Sequence, residues 1–177
     1  MIRDGALEDP AVDAMIGLHV WPILETGTIG LQPGPVSAAS DRLKIHVKGK
    51  SGHASMPHTG VDAILASSAT VVALQQIVAR NISPRDTAVV SLCTVKGGSN
   101  YNILAEDVYL DGTVRTFDDE VTRMMPVAIK RVAENTCKAY GAEADVQYTS
   151  GYPTTINDPR IVSSPKSSMT AGGEDFS

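Results

Sequence analysis

Leu43, Ile45 and Val47 alternate with Lys44, His46 and Lys48, a period of two that predicts a strand with one buried face. A different rhythm follows. Val61, Ile64, Leu65, Ser68, Val71 and Val72 share one face of a predicted helix running towards Asn81. Thr59-Gly60-Val61-Asp62 ahead of it resembles a capping box with Asp in place of Glu. Pro84-Arg85-Asp86 turns the chain, and the β-branched run from Ala88 to Lys96 predicts a second strand. After the turn Gly97-Gly98-Ser99-Asn100, a third strand spans about Asp107 to Phe117. Asp118 or Asp119 can cap a second helix with the stripe Val121, Met124, Met125, Ala128, Ile129, Val132, Thr136 and Tyr140. Pro126 lies within that helix; lacking an N–H, it predicts a kink or a later start. Gly141 is a C-terminal stop, and Ala142 to Tyr152 alternates as a fourth strand.

The order strand, helix, strand, strand, helix, strand predicts an α+β fold over residues 41–153. It is a ferredoxin-like two-layer sandwich of a four-stranded antiparallel sheet and two helices. Leu43, Ile45, Val47, Ile64, Ile129 and Val132 are its expected core. Upstream, Asp13 to Val20 reads as an apolar strand of the kind buried on both faces in an α/β sheet. Trp21 to Ser40, with Pro22, Pro33 and Pro35, reads as a connector at a domain boundary. Past Tyr152 no long element is evident, and the chain ends in Gly172-Gly173-Glu174-Asp175-Phe176-Ser177.

Composition narrows the class. Of 177 residues, 42% are apolar and 20% charged, which suits a soluble globular chain. The net charge of −5, without a Lys/Arg cluster among aromatics, argues against nucleic acid as a partner. No apolar run is long enough to cross a membrane. Cys93 and Cys137 read as buried thiols, and with no export signal visible the expected location is cytoplasmic.

Candidate chemistry centres on four histidines. His46 reads as a solvated strand residue, and His58 as a packing residue near the helix start. His53 and His58 are spaced as neither a helical nor a strand metal pair. His19 ends an apolar strand, where metals and ligands collect in α/β sheets. His53 lies in Gly52-His53-Ala54-Ser55, whose small residues leave its imidazole accessible. Arg115, beside Thr113 and Thr116, is either a surface ion-pair residue or a fork for a carboxylate; Asn102 reads first as a turn residue.

Five stretches in this order carry a family resemblance: Gly17-Leu18-His19-Val20-Trp21-Pro22; Gly52-His53-Ala54-Ser55-Met56-Pro57-His58; Gly97-Gly98 with Asn100-Tyr101-Asn102-Ile103; Gly112-Thr113-Val114-Arg115-Thr116-Phe117; and Gly173-Glu174-Asp175-Phe176. Together they resemble the metal-dependent aminoacylases, carboxypeptidases and hippurate hydrolases, nearest the branch with hippurate hydrolase and the plant auxin-conjugate hydrolases. The resemblance implies a lid and dimerisation domain at 41–153, flanked by fragments of an α/β catalytic domain at 1–40 and 154–177. It implies hydrolysis of the amide of N-acyl amino acids by a homodimer joined through the lid. His19 would be a metal ligand, for zinc, manganese, cobalt or nickel. His53 would stabilise the tetrahedral oxyanion, Asn102 would bind substrate and Arg115 would hold its free carboxylate, with all three reaching into an active site of the partner subunit.

Departures from the family pattern qualify this. The family's Cys/His metal motif and paired-Glu motif would fall before Met1, its last metal-binding His beyond Glu174-Asp175-Phe176, and a further helix between Pro159 and Arg160. The expectation is therefore that these 177 residues alone are inactive. Two readings from other classes stand beside this one: a non-catalytic dimerisation module, and a ferredoxin-like small-molecule-binding module. A Glu-Glu and Cys/His motif upstream of Met1 in the reading frame distinguishes the first reading from both.

Overall fold

In the computed structural model, residues 2–163 are described. The Gly173-Glu174-Asp175-Phe176 stretch lies outside them. The strands are β1 (Gly34–Ser37), β2 (Ala39–Lys48), β3 (Gly52–His53), β4 (Ala88–Gly97), β5 (Ile103–Leu104), β6 (Asp107–Thr116), β7 (Glu143–Tyr152) and β8 (Thr155–Asn157). The helices are α1 (Ala63–Gln76), extended by a π-helical turn at Ile77–Asn81, and α2 (Asp119–Ala139). Ser37–Thr155 forms the larger of two compact units.

The main sheet has the order β4-β6-β2-β7 with every neighbouring pair antiparallel, which is the ferredoxin-like arrangement. Both helices pack on one face of it. The period-two pattern of β2 points Ala39, Asp41, Leu43, Ile45 and Val47 inward. Val108, Leu110, Val114 and Thr116 of β6 do the same, and α2 supplies Met125, Ile129, Val132, Ala133 and Cys137. Asp118 caps α2 by accepting from the Glu120 and Val121 amides. Pro126 is held inside the continuous helix, its cost offset by the apolar face on either side of it.

Four expectations need correction. Helix α1 is capped by Asp62, whose carboxylate accepts from the Ile64 and Leu65 amides, so it starts later than the Thr59 pattern predicted. Its buried face is Ala63, Ala66, Ser67, Thr70, Leu74 and Ile77, leaving Ile64 49% exposed and Val72 73% exposed. This helix is apolar nearly all round, so the pattern could not choose a face; packing chose the side whose small residues allow close approach. Ser67 and Thr70 can be buried because their hydroxyls donate to the Ala63 and Ala66 carbonyls. Cys93 is exposed, not buried, because it is the extra residue of a β-bulge in the edge strand between Leu92 and Thr94.

The apolar run Asp13–Val20 forms no strand. It has no sheet partner among the described residues, and Leu18 and Val20 are 88% and 85% exposed. A strand buried on both faces exists only where neighbouring strands pair with it.

A second bulge bends β7 against β2 between Ser40 and Arg42. There the buried Asp41 carboxylate accepts from the Tyr148 hydroxyl at 2.6 Å and the Gly151 amide at 2.9 Å. Gly151 is required, since a Cβ on it would sit 2.0 Å from the Ser40 carbonyl oxygen. Burial first, then the bond to Asp41, pushes the Tyr148 phenol well above its ordinary value. A raised folded-state pKa contributes stability that is fully present below the ordinary phenol range of about 10 and is lost as pH rises through the folded value.

Ile129→Ala should cost about 2–5 kcal/mol in urea unfolding, and Ile64→Ala about 0.5 kcal/mol or less. Equal losses would refute the assigned face of α1. Tyr148→Phe should cost about 1–3 kcal/mol at neutral pH. It should also flatten the alkaline fall in stability, followed by circular dichroism. In thiol labelling, Cys93 should react at once and Cys137, buried and with its thiol pushed up by desolvation, only on unfolding.

Candidate active site

His53 and Asn102 are brought together by a small ribbon. Strand β3 pairs with β5, setting Gly52 opposite Leu104 and His53 opposite Ile103. The Ala54 amide donates to the Asn102 carbonyl at 2.9 Å. The loop around His53 is clamped at its base. Lys50 and Val61 exchange both backbone hydrogen bonds at 2.9 Å, and the Gly49 amide donates to the Glu106 carbonyl at 2.6 Å. Gly49 and Gly60 allow this approach: a Cβ on Gly49 would lie 2.3 Å from the Val61 carbonyl oxygen, and one on Gly60 2.7 Å from that of Lys50. The loop is held at its base while His53 and His58 remain exposed.

Within the loop, the Met56 amide donates to the His53 carbonyl at 2.8 Å. This tight turn carries Ser55 back over the imidazole. The Ser55 amide donates to His53 Nδ1 at 3.2 Å, and Ser55 Oγ lies 2.7 Å from the same nitrogen.

Arg115 is at the other end of the sheet. It faces Ser40 of β2 and Val89 of β4, whereas the ribbon adjoins the end of β6 where Asp107 faces Lys48. Between Asp107 and Arg115 lie roughly 26 Å of strand, at about 3.3 Å per residue. One chain therefore does not bring Arg115 to His53 and Asn102. Arg115 is half-buried on the face away from the helices, where Nη1 donates to Thr113 Oγ1 and, at 3.0 Å, to the Val114 carbonyl. Thr113 Oγ1 in turn donates to the Asp41 carbonyl at 3.0 Å. Among the described residues Nε and Nη2 have no hydrogen-bond partner, so one edge of the fork is open to a carboxylate.

His46 is occupied locally. It stacks on Tyr109 with ring centroids 4.3 Å apart, and its Nε2 lies 2.6 Å from Asp107 Oδ1.

His19 lies in the smaller unit, exposed, edge-on to Trp21 at 5.5 Å. Its Nδ1 is 2.7 Å from the Val20 carbonyl oxygen. A carbonyl only accepts, so Nδ1 carries the proton and the neutral ring keeps its lone pair on Nε2, the form that binds a metal. His19 thus fits one ligand. The described residues contain no group of three or more His, Cys, Asp or Glu able to hold an ion. This donor set does not fit a complete metal site.

Sequence reasoning missed the β3–β5 ribbon, the Lys50–Val61 clamp and Ser55. The glycines at 49, 52 and 60, bracketing one histidine, were the available signal. Gly60→Ala should shift the amide resonances of residues 50–62 and 102–105 while leaving the main sheet unchanged. Shifts confined to the immediate neighbours of residue 60 would count against the clamp.

Residues 39–141, more than half of the chain, match the peptidase dimerisation domain. An N-acetyl-L-cysteine deacetylase of Bacillus subtilis (strain 168) is 42% identical over 161 residues, covering 91% of this chain and 38% of its own length. An N-acyl-L-amino acid amidohydrolase of Geobacillus stearothermophilus is 38% identical over 164 residues, covering 90% of this chain and 44% of its own length. The chain thus spans less than half the length of these relatives. A crystal structure of a Bacillus subtilis protein described as a dinuclear metal binding peptidase from the M20 family superposes with a TM-score of 0.75. It is 30% identical, over 99% of this chain and 43% of that one. With its ferredoxin-like sandwich, its pinned histidine loop and these relatives, the chain belongs to the M20 peptidase family and carries that family's dimerisation domain.

Proposed function

We propose that the chain is the lid-bearing part of a homodimeric amidohydrolase that cleaves the amide of N-acyl amino acids, hippurate-like substrates included. The observation that carries the reading is the separation of the polar groups: His53 with Asn102 on the ribbon that adjoins one end of the main sheet, Arg115 at the other end of that sheet. The names of the relatives, an N-acetyl-L-cysteine deacetylase and an N-acyl-L-amino acid amidohydrolase, support the substrate class.

Each group has a task its chemistry suits. His53 donates from Nε2 to the oxygen on which charge develops as the amide carbon becomes tetrahedral. Asn102 binds the substrate beside it. Arg115 grips the free carboxylate through its open edge. Because roughly 26 Å of strand separates Asp107 from Arg115, one active site takes His53 and Asn102 from one lid and Arg115 from the other subunit. This replaces the simpler expectation that all three reach the same site from one chain.

The surface for such a dimer is the flank of α1 and β4. Among the described residues strand β4 is an unpaired edge of the main sheet, and α1 packs beside it. Ile64, Leu65 and Val72 on the helix and Val95 on the strand are exposed, and Ile64 reaches Gly98 at the strand's end. An unpaired edge beside an apolar helix face is a template for a second copy.

A divalent transition metal, zinc, manganese, cobalt or nickel, belongs to the proposed enzyme, with His19 as one ligand. The described residues supply one imidazole towards it and not a complete site. On its own the chain is proposed to be inactive. The two free cysteines, one exposed, suit a reducing, cytoplasmic setting.

Sedimentation should show a dimer of the chain that Leu65→Glu disperses; a wild-type monomer at high concentration would remove the dimer. In the complete enzyme, His53→Ala should lower kcat by about a hundredfold to a thousandfold with little change in KM. Arg115→Ala should weaken only substrates with a free carboxylate. Heterodimers of His53→Ala and Arg115→Ala subunits decide the geometry. If the groups come from different subunits, one site of the two is intact and activity returns. If they come from one, every site carries a lesion, and the absence of rescue in proven heterodimers would defeat the proposal.

A further inference from the structure

The hydrogen bonds at His53 settle more than its position. A backbone amide can only donate, so the 3.2 Å contact from the Ser55 amide requires a lone pair on His53 Nδ1. The Ser55 hydroxyl, 2.7 Å from the same nitrogen, then donates as well. With Nδ1 taken as an acceptor, the proton of the neutral ring is on Nε2. The turn that makes this possible is closed by the Met56 amide on the His53 carbonyl and fixed to β5 by the Ala54 amide on the Asn102 carbonyl. His19 is set in the opposite way, its Nδ1 donating to a carbonyl.

We propose that Ser55 is a positioning residue for the reaction: by donating to His53 Nδ1 it fixes the ring's orientation and tautomer, so that Nε2–H is the donor presented to the substrate oxyanion. The inference rests on the proposed catalytic role of His53 but is separable from it. In the Nδ1–H tautomer, Nε2 would offer a lone pair to a developing negative charge, which repels it. The amide contact, at 3.2 Å, is the longer and weaker of the two. The hydroxyl adds the shorter bond and makes the site sensitive to the residue at position 55.

The test uses side-chain nitrogen–proton correlation spectra of the chain, at a pH where its imidazoles are neutral, with His53→Ala identifying the resonance. The wild type should hold the proton on Nε2 alone, with Nδ1 a hydrogen-bonded acceptor. Ser55→Ala should populate the Nδ1–H form and weaken the Nδ1 signature, and Ser55→Thr, which keeps a hydroxyl, should restore the wild-type spectrum. In the complete enzyme Ser55→Ala should lower kcat by about threefold to tenfold at unchanged KM, the loss of one neutral hydrogen bond, with rescue by Ser55→Thr. A proton on Nδ1 in the wild type, or a Ser55→Ala spectrum identical to it, would overturn the proposal. Full activity in His53→Ala would defeat the catalytic reading of His53 and leave the tautomer result standing.

Discussion

Strand β2 can pair with β6 in one register only if its apolar face is to stay buried. Ten successive pairs, from Ala39 opposite Thr116 to Lys48 opposite Asp107, join the two central strands. A slip of one residue would turn Leu43, Ile45 and Val47 out of the core and Lys44 and His46 into it. The same ladder sets where polar groups emerge. Past Lys48 the chain leaves into the His53 loop, and before Asp107 it arrives from Asn102, so these two meet at one end. Arg115, eight residues along β6, is carried to the other.

Close approach does the finer work. Helix α1 presents Ala63, Ala66, Ser67 and Thr70 inward, and Thr70 Oγ1 meets Cys137 Sγ of α2 at 3.3 Å. Gly49, Gly60, Gly112 and Gly151 stand where a Cβ would strike backbone. Asp41, with Tyr148 and Gly151 on its carboxylate, holds the β7 bulge, and its carbonyl holds Thr113 and through it Arg115. The cost of burying that carboxylate is offset because both oxygens accept a hydrogen bond.

The histidines show how a single neighbour decides chemistry. His19 donates its Nδ1 hydrogen to a carbonyl, which leaves the lone pair on Nε2; His53 accepts hydrogen bonds at Nδ1, which leaves the ring hydrogen on Nε2; His46 is held by Asp107 and Tyr109. Residue type is the same in all three. The partner of one ring nitrogen sorts them.

Local patterns were enough to set the order of the four long strands and two helices of the main sandwich, the inward face of β2, most of that of α2 and the family, because period-two alternation, capping aspartates and short motifs are local. The sequence marked His19, His53, Asn102 and Arg115 as the residues to examine for the same reason. It could not choose the buried face of α1, where apolar side chains surround the helix and only the fit of small residues against the sheet breaks the tie. Nor could it foresee that Asp13–Val20, apolar as a buried strand should be, makes no strand without partners to pair with. Ser55 and the clamp of Lys50 on Val61 were invisible because a hydrogen bond across a folded loop leaves no periodic trace. The distance between Arg115 and His53 was hidden likewise: residues separated in sequence acquire a spacing only when strand register and sheet order are set, and those are decided by packing over the whole unit.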